Sequence, residues 1–369
     1  MIYLDNSATT RPCEAAVAAA KEAMESCWGN PSSIHRLGNR ALERIELARS
    51  QVAAALGADK KCVYFTSGGT EADNWAIFSS VEKLGKRGRH IITTSFEHHA
   101  VLHPMAKLEA QGFEVTYLDP GADGTVSLEA FRAAIRPDTI FASIMMVNNE
   151  VGAVQPIREM AQALHRARPE AIFHTDAVQG LFKVPFNAKT LGADLISVSA
   201  HKIHGIKGAG ALYIRPNLHL PAYQHGGGQE LNLRSGTEAV PAICAFGAAA
   251  DELRKTARED MAAMASLRDS LVAALKELDG VQILGVGAAP HIVSLSIPGL
   301  RSQLIINRLQ DMEIYVSAGS ACSRGHRSHV LLAAGADNRA IDGAVRVSFS
   351  RDNTPEDVDK LIEGLKTLL

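Results

Sequence analysis

The sequence has little of what would commit a chain to a membrane, a nucleic acid or a disulfide framework. Its formal charge is −2, with 38 Lys and Arg against 40 Asp and Glu, so no basic surface for nucleic acid or anionic lipid is expected. No apolar run approaches the length of a membrane span. The opening residues Met1-Ile2-Tyr3-Leu4-Asp5 carry neither a basic region nor a signal-like apolar segment, and a cytoplasmic location is expected. Only five cysteines occur, at 13, 27, 62, 244 and 322, with no C-x-x-C pair and no zinc spacing. A scattered, odd-numbered set fits a reducing compartment and leaves any one of them available as a reactive thiol; no metal site is expected. There is no internal repeat, which argues against a solenoid.

What is present is ordinary for a globular protein: 369 residues, 46% apolar and 21% charged. Pro12 opens an Ala-rich helix to about Cys27. In the next helix Leu42, Ile45, Val52 and Leu56 share a face with Ala48, and Gly57 ends it. From residue 62 the pattern repeats as strand, Gly-rich turn, helix. Strands are predicted at 62–66, 89–94, 114–118, 139–147, 170–175, 194–199 and 210–215. Helices are predicted at 70–84, 99–111, 127–135 and 156–167. This alternation predicts an α/β unit with a largely parallel sheet. A helical tract over 240–278 is longer than most globular helices, so it is either broken or a bridge. Beyond it lie a strand at 291–297, a helix at 301–310, strands at 314–317 and 343–349, and a last helix with Thr354 at its N-cap and Pro355 at N1.

Chemistry-bearing residues fall where these strands end. Lys202 follows the apolar run Leu195–Ser199. Burying an ammonium there is costly unless it is paired or neutralised. A desolvated lysine is a nucleophile toward an aldehyde such as that of pyridoxal phosphate. Glycines 205, 208 and 210 allow close backbone approach; read alone, the stretch is equally a surface lysine in a Gly-rich turn. Asp176 ends the run Ala171–Thr175. Ligands bind outside the carboxyl ends of parallel strands, so Asp176 and Lys202 can face one crevice. Thr66-Ser67-Gly68-Gly69-Thr70-Glu71 joins a strand to a helix, either as an anion site or as a plain N-cap and turn. Cys322 sits in a Gly/Ser loop beside Arg324, either as a low-pKa thiol or as an incidental cysteine. Arg346 lies in the alternating strand Ala344–Ser348 and offers a fork for a carboxylate, with Arg351 as a weaker candidate.

Taken in order, D-A-V-Q at 176–179, S-A-H-K-I-H-G at 199–205 and G-S-A-C at 319–322 resemble the cysteine desulfurases of the NifS/IscS type. These are a branch of the class V aminotransferases on the fold-type-I pyridoxal phosphate scaffold. The resemblance runs from L-D-x-S-A-T-T at residues 4–10 to Arg346. It implies a large α/β domain with a mostly parallel seven-stranded sheet over 14–257. A smaller α+β domain from 1–13 and 258–369 would carry the cysteine loop. Lys202 is then the cofactor lysine, Asp176 the partner of the ring nitrogen and Gln179 that of the phenolic oxygen. His98, from E-H-x-A-V, stacks on the ring and moves protons. Gly69, which replaces the family's alanine, holds the phosphate with Thr70, Ser199 and His201. Asn149 of V-N-N-E reaches cofactor and substrate, and Arg346 clamps the substrate carboxylate. H-G-G-G…R-S-G-T places Thr237 on the neighbouring subunit's phosphate, implying a homodimer with shared sites. Cys322 carries the persulfide. The implied reaction takes sulfur from L-cysteine, leaves L-alanine and passes the sulfur to a small thiol or acceptor protein, as in iron–sulfur cluster assembly. A selenocysteine lyase or another class V aminotransferase would not need G-S-A-C. A silent sulfur carrier or scaffold would not need Lys202, Asp176 and His98. The loop from Cys322 to S-H-V-L is slightly shorter than in the family. The tail with which some members dock an iron–sulfur scaffold is expected to be absent or minimal, which leaves the acceptor open.

Overall fold

A computed structural model describes residues 1–285, 287–318 and 327–369. Up to residue 214 the elements are β1 (Ile2–Tyr3), α1 (Glu14–Ser26), α2 (Arg36–Leu56), β2 (Val63–Thr66), α3 (Gly69–Leu84), β3 (His90–Thr94), α4 (His99–Glu109), β4 (Glu114–Leu118), α5 (Leu128–Ala134), β5 (Thr139–Ser143), α6 (Ile157–Ala167), β6 (Ile172–Asp176), α7 (Ala188–Leu191), β7 (Leu195–Ser199) and β8 (Gly210–Ile214). There follow α8 (Val240–Lys276), β9 (Gln282–Gly285), β10 (Ile292–Ser296), α9 (Ser302–Asp311), β11 (Ile314–Tyr315), β12 (Ser317–Ala318), α10 (His329–Ala333), α11 (Asn338–Asp342), β13 (Ala344–Ser348) and α12 (Pro355–Lys366).

The central sheet has the order β2-β8-β7-β6-β5-β3-β4, and only β8 runs antiparallel to its neighbours. Strands β3, β5, β6 and β7 are buried on both faces, as strands covered by helices on each side must be. One apolar core fills the face under α2, α6 and the first part of α8; a second lies under α3 and α4. A third, separate core joins α9, α12 and the last part of α8 to the antiparallel sheet β12-β13-β10-β9.

Helix α8 is a single 37-residue helix. Its buried residues run from Val240 to Leu253 and resume at Met264, so the charged middle crosses between two cores and the helix is a bridge, not a broken pair. The stretch predicted as one strand at 314–317 is two: β11 pairs with β1, and β12 pairs with β13. The pairing of β1 with β11 returns the extreme N-terminus to the third core. The predicted face of α2 is buried at Ile45, Ala48, Val52 and Leu56, but Leu42 is 43% exposed and Ala41 takes its place in the stripe. The ladder of β5 ends at Ser143 rather than 147. Ile144 and Met146 still donate to the carbonyls of His174 and Asp176 as the chain leaves the sheet.

Candidate active site

The carboxyl ends of β3, β5, β6 and β7 open, with the N-terminus of α3, on a cavity of about 310 Å³. It is lined by Gly69, Thr70, His98, Asn149, Asp176, Gln179, Ser199, His201, Lys202 and Arg346, all named from the sequence. The reason is topological: each parallel strand ends at the same edge, so the polar residue that stops each apolar run arrives at one rim.

One end of the cavity suits an anion. The first N–H groups of α3 have no acceptor within the helix, and the helix dipole adds partial positive charge. Ser199 is 2% exposed, and its hydroxyl has no hydrogen-bond partner among the described residues. A Cβ on Gly69 would lie 2.6 Å from Val178 Cγ2 and 3.7 Å from Ser199 Cβ, so with valine at 178 the position suits glycine.

At the other end Asp176 ends β6, and its Oδ1 accepts the Val178 N–H at 2.8 Å. Burial pushes its carboxyl up to about 6, opposed by that bond and by the Lys202 charge. Two further buried acids stand close by. Burial and then the nearby Asp176 push Asp73 well above the carboxylate range, and burial pushes Glu97 up to about 8. Glu97 therefore holds its proton near neutral pH, burial favours the neutral form of Asp73, and Asp176 is the acid whose charge Lys202 supports. His98 caps α4, its Nδ1 accepting the Ala100 N–H at 3.1 Å. Burial, then the Lys202 charge, lowers His98 to about 4, so the ring is neutral and its proton lies on Nε2. Burial and Lys202 likewise lower His201 to about 4. Lys202 lies in a 3-10 turn directly after β7, and its Nζ donates to Ser7 O at 2.5 Å and Ala8 O at 2.8 Å.

Ser7 and Ala8 belong to a strap, residues 5–10, that crosses the cavity. Gln179 Nε2 donates to Ser7 O at 2.8 Å, Thr10 N–H donates to His201 O at 2.9 Å, and Arg346 Nη2 donates to Asp5 Oδ1 at 2.8 Å. Arg346 Nη1 also donates to Asn149 O at 2.9 Å. The neighbouring Asn148 is fully buried and spends its side chain on Phe96 O and the N–H groups of Glu150 and Val151. Glu150, pushed up to about 7 by burial, accepts a hydrogen bond from Ser328 Oγ at 2.5 Å.

Thr237 and Arg351, both named from the sequence, do not line the cavity: Thr237 is exposed on the segment before α8, and Arg351 pairs with Glu252. Cys322 lies outside the described residues. Sequence reasoning missed Ser7, Ala8, Asp73, Val178, Glu150 and His329 as lining residues. Asp73 had a local signal, a carboxylate on the otherwise apolar face of Ala72, Trp75 and Ala76.

The family profile for class-V aminotransferases matches residues 2–361. Cysteine desulfurase IscS of Methanosarcina thermophila is 43% identical over 366 residues, covering 98% of this chain and 90% of that protein. The IscS of Serratia proteamaculans is 41% identical over 372 residues, covering 98% and 91%. A solved NifS-like protein superposes with a TM-score of 0.94 at 38% identity, over 100% of this chain and 98% of that one. SspA, solved in complex with cysteine, superposes at 0.81 and 31% identity, over 96% and 100%. With the fold and these matches in hand, the chain belongs to the class-V aminotransferases, pyridoxal phosphate enzymes of fold type I, in the branch of the cysteine desulfurases.

Proposed function

We propose that the protein is a cysteine desulfurase. It takes sulfur from L-cysteine, releases L-alanine and carries the sulfur as a persulfide on Cys322, for a thiol or acceptor protein such as one that builds iron–sulfur clusters. The observation that carries this reading is one cavity bringing together Lys202, Asp176, His98 and Arg346 beside an anion cradle with a buried, unpartnered Ser199 hydroxyl.

Pyridoxal phosphate, when bound, supplies an aldehyde for the amino group of an amino acid and a ring that draws electrons from its Cα. The residues present fit it. Gly69, Thr70, Ser199 and His201 would hold the phosphate, which would give the Ser199 hydroxyl an acceptor. The Asp176 carboxylate would pair with the ring nitrogen, Gln179 and Asn149 would serve the phenolic edge, and Lys202 would serve the aldehyde. His98 would serve the ring face with Nε2–H as a donor, because its other nitrogen accepts the Ala100 N–H. Proton removal therefore falls to Lys202, whose amine the Ser7 and Ala8 carbonyls hold in place. Arg346 binds the substrate α-carboxylate. The Cys322 thiolate attacks the substrate sulfur; an S–S bond forms, the C–S bond breaks, and its electron pair stays with the carbon that is later protonated.

The same reading divides the chain into a large domain, 14–257, and a small one, 1–13 with 258–369, supported by the separate apolar core of the second, while Ala289, Val330 and Leu331 pack into the core of the first. It makes the protein a homodimer. Val17, Met24, Trp28, Ile34 and Leu42 are exposed along α1, α2 and the loop between them, an apolar surface that a second copy would cover. Thr237 would complete the phosphate site of the partner subunit. Among the described residues no helix is long and apolar enough to cross a membrane, and four buried cysteines are unpaired thiols; both accord with a cytoplasmic enzyme.

Alanine release from L-cysteine tests the reading, with Lys202→Ala alongside. Borohydride reduction and peptide mapping should find the pyridoxyl group on Lys202. A protein purified without the cofactor, or one as active after Lys202→Ala, would overturn it.

A further inference from the structure

Arg346 does not face the cavity as a lone cation. It is 2% exposed on β13, and its only ion-pair partner among the described residues is Asp5, 341 positions away in sequence. Asp5 is itself fixed. The chain bridges β13 at Asp5–Ser348, Ser348 N–H donates to Leu4 O at 2.7 Å, and Ser7 N–H donates to Ser348 Oγ at 2.8 Å. A Tyr3 hydroxyl bond to the Asp5 carbonyl at 3.1 Å closes the turn. The Asp5 backbone is thus held beside Ser348, two residues along β13 from Arg346, which keeps its carboxylate within reach of the guanidinium. With Asn149 O on Nη1 and Asp5 on Nη2, two edges of the guanidinium are committed, and the buried Nε has no hydrogen-bond partner among the described residues.

We propose that Asp5 is a positioning residue for substrate: it orients the Arg346 fork and, by neutralising part of its charge, sets how tightly an amino-acid carboxylate is held. The inference rests on the assignment of Arg346 to the substrate carboxylate. A buried guanidinium stripped of its carboxylate is strongly disfavoured and recovers its counter-charge from any anion that reaches it. With Asp5 present, the incoming carboxylate shares a cation already paired. Binding is therefore weaker than the bare cation would give, and alanine, the product with the same carboxylate, can leave.

Asp5→Asn keeps an oxygen for Nη2 and removes the charge. The holoenzyme is titrated with L-alanine, following the cofactor absorbance, and with cysteamine, which has the amine and thiol but no carboxylate. The expected result is L-alanine binding about tenfold tighter in Asp5→Asn, with cysteamine unchanged and no effect of Asp5→Asn in an Arg346→Gln background. Melting of the holoenzyme gives a second readout: L-alanine should raise the melting temperature of Asp5→Asn more than that of wild type. Asp5→Glu, which restores the charge, should return both towards wild type. If Arg346→Gln weakens L-alanine but Asp5→Asn leaves it unchanged, or shifts cysteamine equally, the inference about Asp5 falls alone. If Arg346→Gln leaves L-alanine binding intact, the carboxylate assignment falls and takes the inference with it.

Discussion

At the scale of residues, two contacts in the cavity wall give sharp expectations. Glu150 is buried, and its carboxyl is pushed from 4.5 to about 7. Below about pH 4.5 it is protonated in both folded and unfolded chains and contributes no pH dependence. As pH rises through 4.5 to 7, the unfolded chain loses its proton first, so stability falls, by about 3 kcal/mol in all. Glu150→Gln removes that loss while keeping an acceptor for Ser328. Urea unfolding should show the variant gaining on wild type between pH 5 and pH 8, and an equal gap at both would contradict it. Gly69 gives the second. An added methyl collides with Val178, whose N–H fixes Asp176. Gly69→Ala should weaken cofactor retention at least tenfold, about 1.4 kcal/mol, and Val178→Ala should restore it in the double variant. Dialysis followed by cofactor absorbance reads both. The site was legible from sequence at this scale wherever a polar residue ends an apolar run, as at Asp176 and Lys202. Asp5, Ser7 and Ala8 were not assigned roles, because a backbone carbonyl or a carboxylate reaching across 341 positions leaves no local pattern.

At the scale of elements, the strand–turn–helix alternation found every strand of the central sheet, since each is a short apolar run bounded by turn residues. It failed where periodicity is ambiguous. A run of four apolar-compatible positions at 314–317 conceals a passage at Val316 from one sheet to another, and the stripe of α2 was wrong at one position because Ala41, not Leu42, faces the core. The length of α8 is the element with most consequence. Its exposed middle carries no core contacts yet joins two cores, so rigidity there is continuity of backbone hydrogen bonds. Glu259→Pro interrupts them and should cost about 3 kcal/mol or more, lowering the denaturation midpoint, whereas Glu259→Ala should change it little. Equal midpoints for the two variants would mean that the bridge bears no stability.

At the scale of the whole molecule, the apolar surface of α1, α2 and their connection and the exposed Thr237 would both be accounted for by the second copy proposed above. Trp28 is 67% exposed and Ile34 97%, and exposed apolar patches of this kind mark interaction surfaces. Sedimentation should give twice the chain mass of 39.4 kDa, and Trp28→Asp with Ile34→Asp should give the monomer and lose cofactor phosphate affinity. A wild type that sediments as a monomer would contradict the shared site. None of this surface was marked from sequence as an interface, because an exposed apolar residue and a buried one read alike until the fold assigns them a side.

The central claim is that sulfur leaves L-cysteine onto Cys322. Mass spectrometry of the peptide carrying Cys322, after brief exposure of the holoenzyme to L-cysteine without reductant, tests it most directly. The account predicts one added sulfur atom on Cys322 and one alanine released for each sulfur held. Alanine released with Cys322 unmodified, or at the same rate from Cys322→Ala, would contradict it.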